Sequence, residues 1–373
     1  MTALRKIALA ASALLAITAA ASFAQSESAD TYQDIQKTFG FVPAFFKAFP
    51  EQGIAGAWDE MKSFQMNPKT ALPPKTKELI GLAVAAQIPC RYCDYFHTQF
   101  AKADGASDQE LKEAIAVSAI TRHWSTVLNG MQIDMPQFQQ EVNKMFHVSN
   151  AQAGQSGSGR TGAMGQAGQG RSPSQPTRAQ TGAGQTGSGQ TGMQGQTGSG
   201  QTGMQGQTGS GQTGMQGQTG SGQTGQAGSQ PGTTGGSTAN ITDATSAYQD
   251  MQATLGMVPT FMKRFPQQGI AGAWREFKTL EMTDTALDVK TKSLIGLAVA
   301  AQVPCTYCVY FHTAQARQAG ANDEEIADAV AMSAMTRHWS TVLNGSMLDE
   351  NAFHRDVDRI LRDMKKSTQA ARK

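Results

Sequence analysis

The chain has 373 residues, room for two ordinary domains, and its apolar content of 39% is low for a globular protein. Lys and Arg number 31 against 29 Asp and Glu. A basic excess of two is too small to neutralise a run of phosphates, so the composition argues against nucleic acid as a partner.

Residues 1–24 read as an export signal. Arg5 and Lys6 precede an apolar run from Ile7 to Ala21, and Ser22-Phe23-Ala24 supplies a small-x-small cleavage site. The run is short for a membrane span, which needs about 20 apolar residues. The expected product is exported to the periplasm or beyond, with no membrane association after cleavage. Without Arg5 and Lys6 the remaining chain carries 29 basic and 29 acidic residues. In an oxidising compartment a disulfide is the default state of a cysteine pair.

Residues 25–150 form the first of two similar segments. Pro73 and Pro74 can open a helix running through Glu78 to Ala86. Pro89 breaks it and opens the next, which carries Cys90, Cys93 and His97 and ends near Gly105. Ser107 and Glu110 then form a capping box, and the helix it starts runs to about Leu128, with Gly130 as a stop. Apolar residues recur at helical spacing and no stretch alternates with period two.

Residues 151–240 differ in kind. They contain no aromatic residue, no Asp and no Glu, and their only charges are Arg160, Arg171 and Arg178. The unit Q-T-G-S-G-Q-T-G-M-Q-G starts at Gln185 and recurs at Gln196 and Gln207. Such a composition cannot bury enough surface to offset chain entropy, so a disordered tether is expected. A Gly-rich coil of about 90 residues spans roughly 50 Å.

Residues 241–373 repeat the first segment. Y-Q-D-I-Q-K-T-F-G-F-V-P at 32–43 returns as Y-Q-D-M-Q-A-T-L-G-M-V-P at 248–259, and T-R-H-W-S-T-V-L-N-G at 121–130 returns unchanged at 336–345. Asn322 and Glu325 repeat the capping box. The expectation is an all-α protein with six or seven helices per copy, one core in each, and a linker between.

All four cysteines lie in two C-x-x-C-x-x-x-H units: Cys90, Cys93 and His97, then Cys305, Cys308 and His312. Cys93 and His97 share one helical face. Cys90 stands at a helix N-terminus, where the dipole stabilises a thiolate and an imidazole one turn on can exchange its proton. Glu78 lies on the preceding helix. In a helical hairpin it could face His97 and complete a base–orienter arrangement. Two bland alternatives stay open. One is a structural disulfide in each copy. The other is a zinc site of Cys90, Cys93 and His97 with Glu78 or His123. His123 and His338 sit beside Trp124 and Trp339 and read as core or interface residues. Trp58, Trp124, Tyr92 and Phe96 read as core aromatics.

The stretch E-L-I-G-L-A-V-A-A-Q-I-P-C-R-Y-C-D-Y-F-H resembles the alkylhydroperoxidase D-like branch of the carboxymuconolactone decarboxylase superfamily, through its E-x11-C-x2-C-x3-H spacing. The resemblance covers both copies. It implies an all-α bundle assembling as trimers or hexamers, and a thiol–disulfide relay with peroxidase activity. By position, Glu78 and His97 would be the proton relay, Cys93 the buried activated thiol and Cys90 its disulfide partner. Cys305, Cys308 and His312 would be the counterparts. The substrate would be a hydroperoxide or a protein disulfide, the reductant an unidentified exported thiol, and the assembly a homo-oligomer, a trimer of tandem chains. No cofactor and no metal is implied.

Three departures stand out. Tyr92 and Tyr307 hold a place where family members can have a second histidine. An exported protein would not meet the cytosolic electron donors of the family. In copy two Ser293 replaces the glutamate, so a slower second site is expected. The alternatives are a non-enzymatic exported assembly protein and a lactone decarboxylase.

Overall fold

The computed structural model describes residues 27–148 and 238–371. The leader at 1–24 and nearly all of the tether at 151–240 lie outside the described residues. The second described stretch opens at Thr238–Asn240 in a single 3-10 turn, inside the segment read as tether.

Each copy contributes seven helices among the described residues, with no strand. Copy one has α1 over residues 27–39, α2 at Ala44–Lys47, α3 at Ile54–Glu60, α4 at Pro74–Gln87, α5 at Arg91–Ala103, α6 at Asp108–Gly130 and α7 at Met135–Met145. Copy two repeats them as α8 at Ala244–Leu255, α9 at Thr260–Arg264, α10 at Gln267–Met282, α11 at Val289–Gln302, α12 at Thr306–Gln318, α13 at Asp323–Gly345 and α14 at Glu350–Ala371. None of these helices is long and apolar enough to cross a membrane.

The helix ends follow local chemistry. Pro74 takes the first turn of α4, where its missing N–H costs nothing. Ser107 and Glu110 cap α6 reciprocally, and Asn322 and Glu325 do the same for α13. The copies differ after α3. There the chain widens into a π turn at Met61–Gln65, whereas α10 runs through unbroken.

The expectation of one core per copy gives way to three shared cores. In one, Trp339, Leu343 and Val357 from copy two pack among Phe45, Phe46 and Trp58 of copy one. In its mirror, Trp124, Leu128 and Phe138 from copy one pack among Phe261, Trp274 and Phe277 of copy two. The third lies between them, where α4, α6, α11 and α13 meet through Leu79, Val117, Leu294 and Met332. The reason is visible in the long helices. α6 and α13 carry apolar residues beyond the reach of their own copy, and burying them requires the partner copy.

Polar contacts lock the exchange. Glu113 on α6 accepts hydrogen bonds from the Thr285 hydroxyl at 2.7 Å and from the Ala286 and Leu287 N–H groups at 3.1 and 2.9 Å. Reciprocally, Asp328 on α13 accepts from the Leu72 N–H at 2.9 Å. Tyr92 donates to the Leu348 carbonyl and Tyr307 to the Ile133 carbonyl, at 2.5 and 2.6 Å.

Candidate active site

Two segments position the copy-one site. The C-terminal end of α4 hands over to α5 through Ile88 and Pro89, so the two helices form a hairpin. Cys90 is the N-cap of α5, and its sulfur accepts the Cys93 N–H at 3.2 Å. Cys90 and Cys93 form a disulfide, with Cα atoms 5.2 Å apart. One turn on, His97 turns back toward α4. There its Nδ1 lies 2.7 Å from Glu78 Oε2, with both side chains only 6% exposed. Gln65, from the π turn, donates to the other carboxyl oxygen of Glu78 at 3.0 Å. The carboxyl group is therefore held at both oxygens.

The ring can approach α4 because residue 81 is glycine. A Cβ there would collide with the imidazole, with Nε2 only 2.7 Å away. Gly296 stands against His312 in the same way. Sequence reasoning missed this pair. The available signal was a glycine inside an otherwise apolar helix, repeated in L-I-G-L-A-V-A-A-Q of both copies.

The other copy completes each site. His97 Nε2 lies 3.4 Å from the Thr336 hydroxyl of α13, which itself donates to the Met332 carbonyl. A cavity of about 30 Å³ is lined by Cys93 and His97 together with Met335, Thr336, Trp339 and Phe353 of copy two. Cys90 is not among its lining residues. So Cys93 is the sulfur that shares a cavity with the histidine. His338 is exposed, with its ring stacked on Phe49 of copy one at 5.5 Å. His123 is likewise exposed and packs on Phe265 of copy two. Both are interface residues rather than core ones. Among the described residues no group of three or more His, Cys, Asp or Glu side chains could hold a metal ion.

In copy two, Cys305 and Cys308 form the second disulfide, with Cα atoms 5.3 Å apart. Cys308 and His312 line a cavity of about 20 Å³ with Thr121, Trp124, Leu128 and Phe138 of copy one. Thr121 Oγ1 lies 3.4 Å from His312 Nε2. Cys305 instead borders a larger cleft of about 550 Å³, with Phe146, Val309, Tyr310 and Arg317. The two sulfurs of this bridge therefore face different spaces.

Ser293 does not reach His312. Its hydroxyl donates to the Val289 carbonyl within α11 at 2.7 Å. The expectation that copy two lacks a carboxyl group is nevertheless corrected. Glu281, at the end of α10, brings an Oε2 to 3.8 Å from His312 Nδ1, and the residue is 1% exposed. Burial pushes this carboxyl up to about 8, against the pull of the Lys292 charge, and burial pushes His312 down to about 4. Both groups are thus neutral near pH 7, and the pair is not an ion pair there.

The carboxymuconolactone decarboxylase family model matches the chain twice, at residues 53–133 and 268–346. The matches contain both C-x-x-C-x-x-x-H units and run through all of α6 and all of α13. An uncharacterized protein in the cox locus of Paracoccus denitrificans is 37% identical over 68 residues, covering 18% of this chain and 61% of that protein. No solved structure gives a significant match.

Proposed function

Each copy holds a carboxymuconolactone decarboxylase family domain, and on that premise we propose that the protein is a thiol-dependent oxidoreductase with hydroperoxide-reducing activity. The observation that carries the proposal is the 2.7 Å contact of Glu78 with His97, beside a cavity that Cys93 shares. A carboxyl group fixing a buried imidazole next to a sulfur is the arrangement that activates a thiol.

The chemistry closes as follows. A dithiol donor exchanges with the Cys90–Cys93 disulfide, leaving two protein thiols and an oxidised donor. The Glu78–His97 pair accepts the Cys93 proton. The thiolate attacks the hydroperoxide, the O–O bond breaks, and the alcohol leaves with one proton. Cys93 is then a sulfenic acid. The Cys90 thiol displaces its oxygen as water, and the disulfide returns. The net reaction converts a dithiol and a hydroperoxide into a disulfide, an alcohol and water. The family's decarboxylase chemistry needs neither sulfur, which separates the two readings.

The leader suits an exported enzyme, whose donor would be an exported dithiol. Assembly into a trimer of tandem chains belongs to the same reading. Ile115 and Val330, at matching places on α6 and α13, are 43% and 39% exposed and would suit such an interface. The test is hydroperoxide turnover with dithiothreitol, comparing the wild type, Cys93→Ser and Glu78→Gln. We expect turnover in the wild type and a deep loss in both variants. Equal rates in all three would overturn the proposal. Lactone decarboxylation that survives Cys93→Ser with Cys308→Ser would replace it.

A further inference from the structure

The surroundings of the two histidines differ at several places, three of which bear on the carboxyl group. Around His97 the chain provides Gln65, Glu78 and Phe100. Around His312 it provides Glu281, Ser293 and Gln315 at the corresponding positions. Gln65 and Glu281 each stand seven residues after a tryptophan, Trp58 and Trp274, and each lines its own copy's cavity. The carboxyl group has moved from the α4 position in copy one to the preceding helix in copy two. The vacated position keeps only a hydroxyl turned into its own helix. Gln315 fills the place of a phenylalanine, and its amide donates to the Glu281 carbonyl at 2.6 Å, tying α12 to the end of α10.

We propose that Glu281 serves His312 as Glu78 serves His97, so that copy two keeps a carboxyl–imidazole–thiol relay assembled from a different helix. Buried Glu281 Oε2 and His312 Nδ1 make no hydrogen bond and lie 3.8 Å apart, and the Gln315 amide oxygen, likewise buried and unpartnered, also acts on His312. That separation is longer than a hydrogen bond, and a modest rotation of the carboxyl group closes it. An unpaired buried polar atom is costly, so two facing each other are strongly drawn together. The far side of the ring fixes the tautomer. Thr121 donates its hydroxyl proton to the Val117 carbonyl at 2.8 Å, so it can only accept from His312 Nε2. Nδ1 of the neutral ring is then an acceptor, and it needs the proton of a protonated Glu281.

This gives the second relay its own pH range. Below about 8 the pair already holds a proton between Glu281 and His312. Above that pH it has lost the proton and can accept the one from Cys308. The groups facing Glu281 are His312 and Cys308 on α12 and the Lys292 ammonium on α11. α6 contributes Thr121 and Trp124, which do not titrate in this range. Copy two is thus a working site that strengthens as the solution becomes alkaline.

The inference rests on the thiol relay reading, and the experiment separates the two. The full chain carrying Cys90→Ser and Cys93→Ser isolates copy two. With the Cys305–Cys308 disulfide reduced, the rate of alkylation by iodoacetamide is followed from pH 6 to 10, with and without Glu281→Gln. Hydroperoxide turnover is measured in parallel, and far-UV circular dichroism checks folding. Glu281→Gln is expected to slow alkylation about tenfold above pH 8 and to remove the component of the pH profile near 8. Glu281→Asp should restore part of it. Superimposable profiles in the Gln variant would overturn the role of Glu281, whatever the turnover. A lost profile component without hydroperoxide turnover would keep Glu281 as the partner of His312 and overturn the peroxidase reading instead.

Discussion

Copy one and copy two differ least where they touch each other and most where they hold a proton. The stretches at 121–130 and 336–345 are identical, and each lends a threonine and a tryptophan to the other's cavity. The carboxyl group has changed helix. In copy one it is clamped at both oxygens, by Gln65 and His97. In copy two one carboxyl oxygen is buried without a partner. The difference teaches that each imidazole keeps a buried carboxyl group beside it, although the two carboxyl groups stand at different positions in their copies.

The comparison can be broken most sharply at Glu78. With copy two silenced by Cys305→Ser and Cys308→Ser, Glu78→Gln should lower hydroperoxide turnover by about 10² to 10⁴-fold. A change below threefold would mean that copy one does not depend on its clamped carboxyl group. Next in size is Gly81→Ala. The methyl group must displace the His97 ring, so copy-one turnover should fall about tenfold or more, with a stability cost of about 1–3 kcal/mol. Gly296→Ala should do the same to copy two alone, which kinetics in the two cysteine-silenced backgrounds would read.

A smaller effect tests the lock between the copies. Burial pushes the Glu113 carboxyl up, yet hydrogen bonds from Thr285, Leu287 and Ala286 outweigh it and hold the group down at about 2. Its folded value lies below the unfolded one. The stabilisation is therefore fully present above about pH 4.5 and is lost as pH falls towards 2. Glu113→Gln should cost about 2–3 kcal/mol at pH 7. The gap to wild type should narrow steadily in acid, as urea unfolding at a series of pH values would show. A constant gap would mean that the carboxyl charge is not what holds the 285–287 loop.

The smallest expected effect is the most diagnostic of the shared cores. A protease site placed within 160–230 should be cut with little change in turnover, because the halves hold each other. Separate expression of 25–150 or 241–373 should give poorly soluble protein, since Trp124 or Trp339 then loses its aromatic partners. Two well-folded, monomeric halves would sink the shared-core arrangement.

Much of this was legible in the sequence because it is local. The capping boxes at Ser107 and Asn322, the Pro74 start and the cysteine at a helix N-terminus are each decided within four residues. The hairpin of α4 and α5 is short, so the facing of Glu78 and His97 could be anticipated from spacing. The exchange of α6 and α13 was not legible, because an apolar helix face does not say which copy covers it. Glu281 was hidden for another reason. Copy one has one more residue than copy two between Trp58 and Glu78, taken up by the π turn and the loop after it. An alignment through the cysteines alone pairs Glu78 with Ser293 and leaves no reason to look twelve residues earlier.

The identical ten residues at 121–130 and 336–345 then acquire a meaning in terms of inheritance. A substitution at Thr336 or Trp339 is written in the second repeat, yet its chemical effect falls on the first disulfide. Each repeat is thus held to account through its sibling's site, and neither half of the gene can drift alone at these positions. The acid that stands on α4 in copy one and on α10 in copy two lies against the histidine of its own copy. In this chain, that is where the two halves have parted.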